Sequence, residues 1–437
     1  MKILILDIYR DTDYRISKDT SGGYGTGNDF GDNFVAKFLK RTLKKTHDWP
    51  PLFAAYTFSV LKKKGHEVSF LKNIPNNLEI FDLFIVVSSI VCCETEIELI
   101  KTLKKANKKI FAIGPFATNQ PKEYTNAGAT VILGEPEFYF LNKENYLDDL
   151  NKEVVEVEFK DNLDDLPYPA WNEMIENKKN VSKLFGNYNS VPLIGTRGCP
   201  YSCFKYCVYP LQQGRKVRQR DPKLIVDEMS YWSKKNIKMF IFRDPVFSIN
   251  RKHTIDFCNE LINRKIEVKF IIETHLRILD TELIKLLKKA GLKGVKVGVE
   301  SSNPKVLKDA NRFTIEKDSQ LEKIKELESN NIQVSSMFIL GFPSDDDNTI
   351  NETIDYAVKI NTTYAQFSVW TPYPGTPIFN SYKEKITTKK YEEFDQYRLV
   401  YNHEKFDKNE IRKYLSSAYK KYYLRFSWIT KYIKSFY

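Results

Sequence analysis

What this sequence lacks narrows it before any motif is read. Nothing approaches the run of about 20 apolar residues that a membrane helix needs, and the start, MKILILDIY, has no long apolar h-region. The expectation is a cytoplasmic protein with no transmembrane segment. Cysteine is scarce, at six in 437 residues. That is no disulfide framework, so clustered cysteines read as metal or redox ligands. Acids are outnumbered, 56 against 68 Lys and Arg, for a formal charge of +12. The lysines are spread through most segments, as in LKKKGHEV and KTLKKANKKI, and read as solvated helix faces. No nucleic-acid partner is expected.

What is present suits packed cores. The chain is 42% hydrophobic and 14% aromatic, and its length predicts two or three domains. Over residues 1–150 the runs KILILDIY, HEVSFLK, DLFIVVSSIV, KIFAIG and ATVILG alternate with helical patterns such as LFAAYTFSVLKKKG and ETEIELIKTLKKA. Continuous apolar strands separated by helices predict an α/β, doubly wound parallel sheet, whose ligands bind beyond the carboxyl ends of the strands. After the first strand lies a long insertion, residues 10–50, with a glycine-rich Ser21–Gly27 stretch. No strand feeds that stretch and no Lys-Ser/Thr follows it, so a mobile lid or substrate loop is expected rather than a phosphate cradle.

Residues 151–188 are acidic and turn-rich, with Pro167 and Pro169 as breakers, and read as a linker. Residues 189–385 carry a second βα series: PLIGT, MFIFRD, VKFIIET, GVKVGVES, VSSMFILGF and YAQFSVW. Six units are fewer than a closed barrel needs, so a partial (β/α)6 barrel is expected, with its chemistry at the strands' C-terminal ends. Residues 386–437 read as helical, aromatic and basic, with no acid beyond Glu410. Packing of the Tyr/Phe stripe on the barrel is favoured there over an interfacial membrane or partner helix.

The chemistry concentrates in GTRGCPYSCFKYCVYPLQQGRK, where Cys199, Cys203 and Cys207 follow the first strand of the second series. Cysteine thiolates, usually four, hold iron–sulfur clusters; three leave one iron open to a non-protein ligand. A structural zinc is the rival, but it needs a fourth donor, and His253, His275 and Cys258 have no matching pair spacing. Cys92 and Cys93 read as buried packing residues.

Around this loop stand FRDPVFS, IIETH, DTELIKLLKKAG, GVKVGVESSN, MFILGFPSDD and TPYPGTPIF, in that order. Together they resemble the radical S-adenosylmethionine (SAM) superfamily, and more narrowly its members with an N-terminal cobalamin-binding domain. The resemblance covers nearly the whole chain. It implies a 4Fe–4S cluster on the three cysteines, SAM on the open iron, and cleavage to a 5′-deoxyadenosyl radical. It places SAM against Tyr206, Asp244, Glu273, Glu300, Ser301, Ile339, Gly341, Phe342 and Pro343. It places cobalamin against Ser88, Ser89, Gly114, Pro115, Ala117, Gly134 and Glu135.

Two departures stand out. Three residues, not the family's two, separate Cys203 from Cys207, which puts the cluster environment and SAM geometry in question. Tyr9 stands where the His of the Asp-x-His-x-x-Gly cobalamin signature would be, so this loop offers cobalt no His ligand. The expected function is cobalamin-dependent radical methylation, or rearrangement, of an unactivated carbon in a small-molecule substrate. The electron would come from a flavodoxin- or ferredoxin-type donor. The alternatives are a tRNA methylthiotransferase, which needs a second three-Cys cluster, and a non-catalytic cobalamin or SAM sensor.

Overall fold

The computed structural model describes residues 1–44, 49–175, 181–182, 188–313 and 315–434. Six parallel strands make the first sheet: β1 (Lys2–Leu6), β2 (Glu67–Leu71), β3 (Leu83–Val87), β4 (Ile110–Ile113), β5 (Thr130–Leu133) and β6 (Val154–Glu156). Their order is β2-β1-β3-β4-β5-β6. The sixth, β6, lies inside the segment read as linker and pairs in parallel with β5. Of the first helices, α1 (Phe34–Lys44) belongs to the insertion, while α2 (Leu52–Lys63) and α3 (Cys93–Lys105) cover opposite faces of this sheet. Successive strand residues point to opposite faces. Ile3, Ile5 and Ile85 therefore pack into one buried layer with α2, and Leu4, Leu6 and Phe84 into another with α3.

The second sheet begins with the short antiparallel β7 (Val181–Ser182). There follow β8 (Tyr188–Leu193), β9 (Met239–Phe242), β10 (Lys269–Glu273), β11 (Leu292–Glu300), β12 (Gln333–Leu340) and β13 (Tyr364–Val369). These six are parallel and adjacent in chain order. Helices α4 (Pro222–Lys234), α5 (Arg251–Asn263), α6 (Thr281–Ala290), α7 (Lys317–Ser329) and α8 (Asp347–Ile360) supply the intervening helical segments. The arrangement is the expected six-unit partial barrel, and β13 is a free edge.

That edge is capped by side chains. Helix α9 (Lys408–Tyr423) runs along it, followed by α10 (Phe426–Lys434). The Ala365 amide donates to the Tyr423 hydroxyl at 3.1 Å, and that hydroxyl donates to the Ala365 carbonyl at 2.7 Å. Tyr419 serves Phe367 in the same way, at 3.1 and 2.9 Å, and the Val369 amide donates to the Gln396 carbonyl at 2.7 Å. Alternate residues of an edge strand turn both backbone groups outward; here phenols replace the missing strand. The C-terminal aromatics thus pack on the barrel, as favoured from the sequence. The helices begin only at Lys408: residues 386–407 carry one isolated bridge, Ile386 to Tyr401, and a short 3-10 turn at Tyr391–Glu393.

The insertion is a packed wall rather than a mobile lid. Ile16–Ser17 pairs antiparallel with Thr26–Gly27, and Ser17, Lys18, Gly22, Gly23 and Tyr24 are buried. Lys18 carries the attachment. Its ammonium lies 3.2 Å from Asp7 and 2.8 Å from Glu96, and donates to the Val87 carbonyl at 3.1 Å. At the far end of the insertion Trp49 enters the half-barrel. Its indole N–H donates to Ser190 at 2.8 Å, and its ring packs with Ile241, Ile271 and Tyr364.

Tyr419→Phe and Tyr423→Phe each leave one buried amide and one carbonyl of β13 without partners. Each is expected to cost about 1–3 kcal/mol in urea unfolding, with an unchanged far-ultraviolet spectrum; stability equal to the parent would refute the capping role.

Candidate functional site

The three cysteines sit on a loop leaving β8, closed at its base by Thr196–Arg197 paired antiparallel with Arg218–Gln219. Gly198 is required there: its φ is +93°, and a Cβ would lie 1.9 Å from the Lys216 carbonyl oxygen. The Cys199 amide donates to the Gly214 carbonyl at 3.2 Å, and the Gly198 amide to the Gln213 side chain at 3.2 Å. Between Cys203 and Cys207 the extra residue is absorbed by a helical turn. The Cys203 carbonyl accepts from the amides of Tyr206 (3.1 Å) and Cys207 (3.0 Å). Residues four apart on such a turn share a face, and the two thiols are hydrogen-bonded. That bond, with Arg312 adding to it, pulls the Cys203 thiol down to about 6, whereas burial raises Cys199.

Arg312 is the cation of this site. Its guanidinium donates to the Cys203 sulfur at 3.8 Å and to the Gly298 carbonyl at 3.0 Å, and lies 3.4 Å from Glu300. Glu300 ends β11 with φ +66°, a left-handed conformation for a residue with a side chain, at a break in the β11–β12 register. Such strain persists where surrounding structure enforces it. Burial pushes the Glu300 carboxyl up to about 6, against the pull of Arg312. Glu273, at the end of β10, is also raised by burial; Lys296, Arg243 and a hydrogen bond from Tyr209 oppose the rise.

Glu273, Glu300 and Ile339 line one cavity of about 290 Å³ in the half-barrel. The insertion forms its open side through Arg15, Ser17, Thr20 and Thr26. Lys296 faces it from β11, its ammonium pushed down to about 8 by burial, with Arg243 adding. Tyr206 meets Phe342 edge-on at 6.2 Å, and both line a neighbouring groove with Pro343. Gly341 turns the chain after β12 at φ +75°, and its carbonyl accepts from the Tyr401 hydroxyl at 2.9 Å.

Three of the expected SAM contacts, Gly341, Asp244 and Ser301, line neither of these cavities. Asp244 is buried and accepts from the Gly195 amide at 2.8 Å, so it fastens the start of the cysteine loop. Ser301 is buried as well, bonded to Thr353 (3.2 Å) and accepting from the Asn303 amide (3.1 Å). Arg312 was not read from the sequence. It follows a helix in a segment with no spacing signal, and only the fold brings it to the cysteines. The structure also turns Lys296 into the lumen.

Residues 193–357 match the radical SAM superfamily. Over 430 residues the chain is 24% identical to an uncharacterized methyltransferase of Pyrococcus horikoshii, covering 89% of this chain and 90% of that protein. It is 26% identical over 420 residues to the anaerobic magnesium-protoporphyrin IX monomethyl ester cyclase of Rubrivivax gelatinosus, covering 86% and 74%. In fold it resembles the radical SAM methyltransferase TsrM from Kitasatospora setae, with a TM-score of 0.63 at 16% identity over 78% of this chain and 74% of that one. It also resembles the cobalamin-dependent SAM radical enzyme OxsB, with a TM-score of 0.65 at 13% identity over 95% and 66%. The chain carries a radical SAM domain over residues 193–357.

A radical SAM domain implies a 4Fe–4S cluster and SAM, and the loop fits the cluster. Three thiols stand together on a pinned loop beside a guanidinium that offsets thiolate charge. Among the described residues no three His, Cys, Asp or Glu side chains converge on a single-ion site; cluster thiolates, each bound to a different iron, need no such convergence.

The edge expected to hold cobalamin is divided. Gly114, Pro115, Gly134 and Glu135 line a second, smaller cavity, of about 50 Å³, between the sheet and the half-barrel. Ser88, Ser89 and Ala117 lie beneath it, buried and already bonded: Ser88 accepts from the Ala117 amide at 3.0 Å, and Ser89 donates to Glu96 at 2.8 Å. Lys18 fills the crevice between β1 and β3. Gly23 rests against Pro115, where a Cβ would meet Pro115 Cγ at 2.8 Å. Glu135 is held by Arg197 at 2.7 Å and Arg218 at 2.8 Å. With Gly23 resting on Pro115, the insertion covers part of the edge over which a corrinoid would lie.

Cys199→Ala, Cys203→Ala and Cys207→Ala are each expected to lose most of the iron and the visible absorption of the reconstituted protein. Retention of full iron by any one of them would remove that residue from the ligand set. Burial raises Asp244 to about 7. A raised acid leaves stability intact below the ordinary carboxylate range and withdraws it as pH rises through the folded value. Asp244→Asn keeps an acceptor for Gly195 without the charge. Its melting temperature relative to the parent should therefore rise by a few degrees between about pH 5 and about pH 8; a pH-independent difference would contradict this.

Proposed function

We propose that this protein is a cobalamin-dependent radical SAM enzyme that methylates an unactivated carbon of a small-molecule substrate. The observation that carries the reading is the arrangement of one mouth. The half-buried carboxylates Glu273 and Glu300 line the lumen, Arg312 ties Glu300 to Cys203, and Tyr209 and Arg243 line both that lumen and the cavity at the sheet edge. A ligand at the sheet edge would thus border the lumen across those two side chains. When bound, the cluster supplies one electron to cleave SAM into methionine and a 5′-deoxyadenosyl radical, and cobalamin supplies the methyl group.

The chain's own residues bind and shield. Glu300, held by Arg312, and Glu273, held by Tyr209, accept hydrogen bonds from the ribose hydroxyls or ammonium of SAM. The Tyr206–Phe342 pair, with Ile339, Gly341 and Pro343, offers the surface for adenine. Trp49 closes the inner end of the lumen and the insertion closes its flank, which keeps water from a reactive radical. The electron comes from an external flavodoxin- or ferredoxin-type donor. A cluster and free cysteines suit the reducing cytoplasm. A tRNA methylthiotransferase reading gains nothing here, because Cys92 and Cys93 are buried neighbours that cannot supply a second three-Cys set.

Protein reconstituted anaerobically is expected to release 5′-deoxyadenosine when given SAM and a reductant, and to show a corrinoid spectrum after purification with hydroxocobalamin. Glu300→Ala should lower that release about tenfold or more, as loss of a charge-assisted hydrogen bond implies. Iron-loaded protein that releases none would refute the enzyme reading. Release without any corrinoid uptake would refute cobalamin alone.

A further inference from the structure

Two helices on the flank of the half-barrel turn apolar side chains outward. In α10 the inner face is Trp428 and Tyr432. The Trp428 indole donates to the Thr363 carbonyl at 2.9 Å, its ring stacks on Tyr432 at 4.9 Å, and Tyr432 meets Tyr364. The opposite face carries Phe426, 81% exposed, with Ile429 at 40% and Ile433 at 53%. Their spacing of i, i+3 and i+7 puts them in one stripe. Helix α1 repeats the pattern: Val35, Ala36 and Lys40 are buried, while Phe34 (64%) and Phe38 (67%) point to solvent one turn apart.

The two helices flank α9. The Asn33 side chain, at the start of α1, donates to the Ser416 carbonyl at 2.5 Å, and the Asp32 amide to the Ser416 hydroxyl at 3.0 Å. Helix α10 follows directly from the other end of α9. Charge on this flank is mainly positive, with Lys421 paired to Asp355 of α8. Lys37 and Arg41 are exposed on α1, and Lys413, Lys420 and Lys421 on α9. There is no acid in α1 and none after Glu410, and Asp32 is held by Arg412 at 2.7 Å. Leaving a large apolar side chain in water forgoes about 1.5–3 kcal/mol each, so five such residues beside cations call for a cover that is apolar within and anionic at its surface. Among the described residues no helix is long and apolar enough to cross a membrane.

We propose that this flank docks the protein onto the surface of an anionic lipid bilayer. Phe426, Ile429 and Ile433, with Phe34 and Phe38, enter the boundary between headgroups and acyl chains, and the lysines face the lipid phosphates. A neutral apolar partner would leave the cations without counter-charge, and an acidic soluble partner would leave the aromatics wet.

The test is flotation of the full-length protein with phosphatidylcholine vesicles, with and without phosphatidylglycerol, at low and high salt. Binding is expected only with phosphatidylglycerol and should weaken as salt rises. The variant Phe426→Ser with Ile429→Ser and Ile433→Ser should bind at least about tenfold more weakly, with an unchanged melting temperature because those side chains face solvent. If that variant melts early, Phe34→Ser with Phe38→Ser provides the same comparison. No binding to phosphatidylglycerol vesicles, equal binding to phosphatidylcholine alone, or variants that bind like the parent would each overturn the proposal. So would light scattering that shows a dimer which the triple variant converts to a monomer, since a second copy would then be the cover.

Discussion

The attachment of Lys18 is the constraint on which the rest depends. A lone ammonium in a protein interior is prohibitively costly, and it persists only with opposite charge and hydrogen-bond acceptors around it. Here Asp7 comes from the end of β1, Glu96 from α3, and the Val87 carbonyl from the end of β3. Three separate elements of the first sheet thus fix one residue of the insertion. The glycine segment that follows is pressed onto Pro115, and the strand pair around it stands against the half-barrel. Both cavities share walls from this one segment.

The mouth of the half-barrel shows how charge is handled once the walls are set. Arg312 serves the thiols, a strand carbonyl and a carboxylate at once, so a single guanidinium offsets much of the negative charge gathered there. Asp244 and Ser301 stand behind the surface and accept from the backbone amides of Gly195 and Asn303. The base of the cysteine loop is tied across the domain boundary by Arg197 and Arg218 to Glu135. The loop is therefore positioned from both sheets.

The strands and their order of use are legible in the sequence because parallel strands buried on both faces must be continuous apolar runs. The three cysteines are legible because a short spacing carries their chemistry. Val154–Glu156 was read as linker because three half-exposed residues among acids carry no strand signal; only pairing with β5 makes them one. The insertion misleads in the same way. Glycines and polar residues suggest mobility, yet Lys18 and Tyr24 are buried by contacts with residues far away in sequence. Arg312 and Lys296 join the site through tertiary placement alone, and a residue-type pattern cannot announce that.

The tyrosine cap on β13 has a consequence for how this architecture can vary. An open sheet normally enlarges by adding a strand at its edge, but here the outward amides and carbonyls of Ala365 and Phe367 are already consumed by phenols. A seventh strand could join only by displacing α9 and everything α9 holds. Room to reshape the lumen is thereby left to the segment between β1 and α2, outside the positions that Lys18 and Trp49 fix.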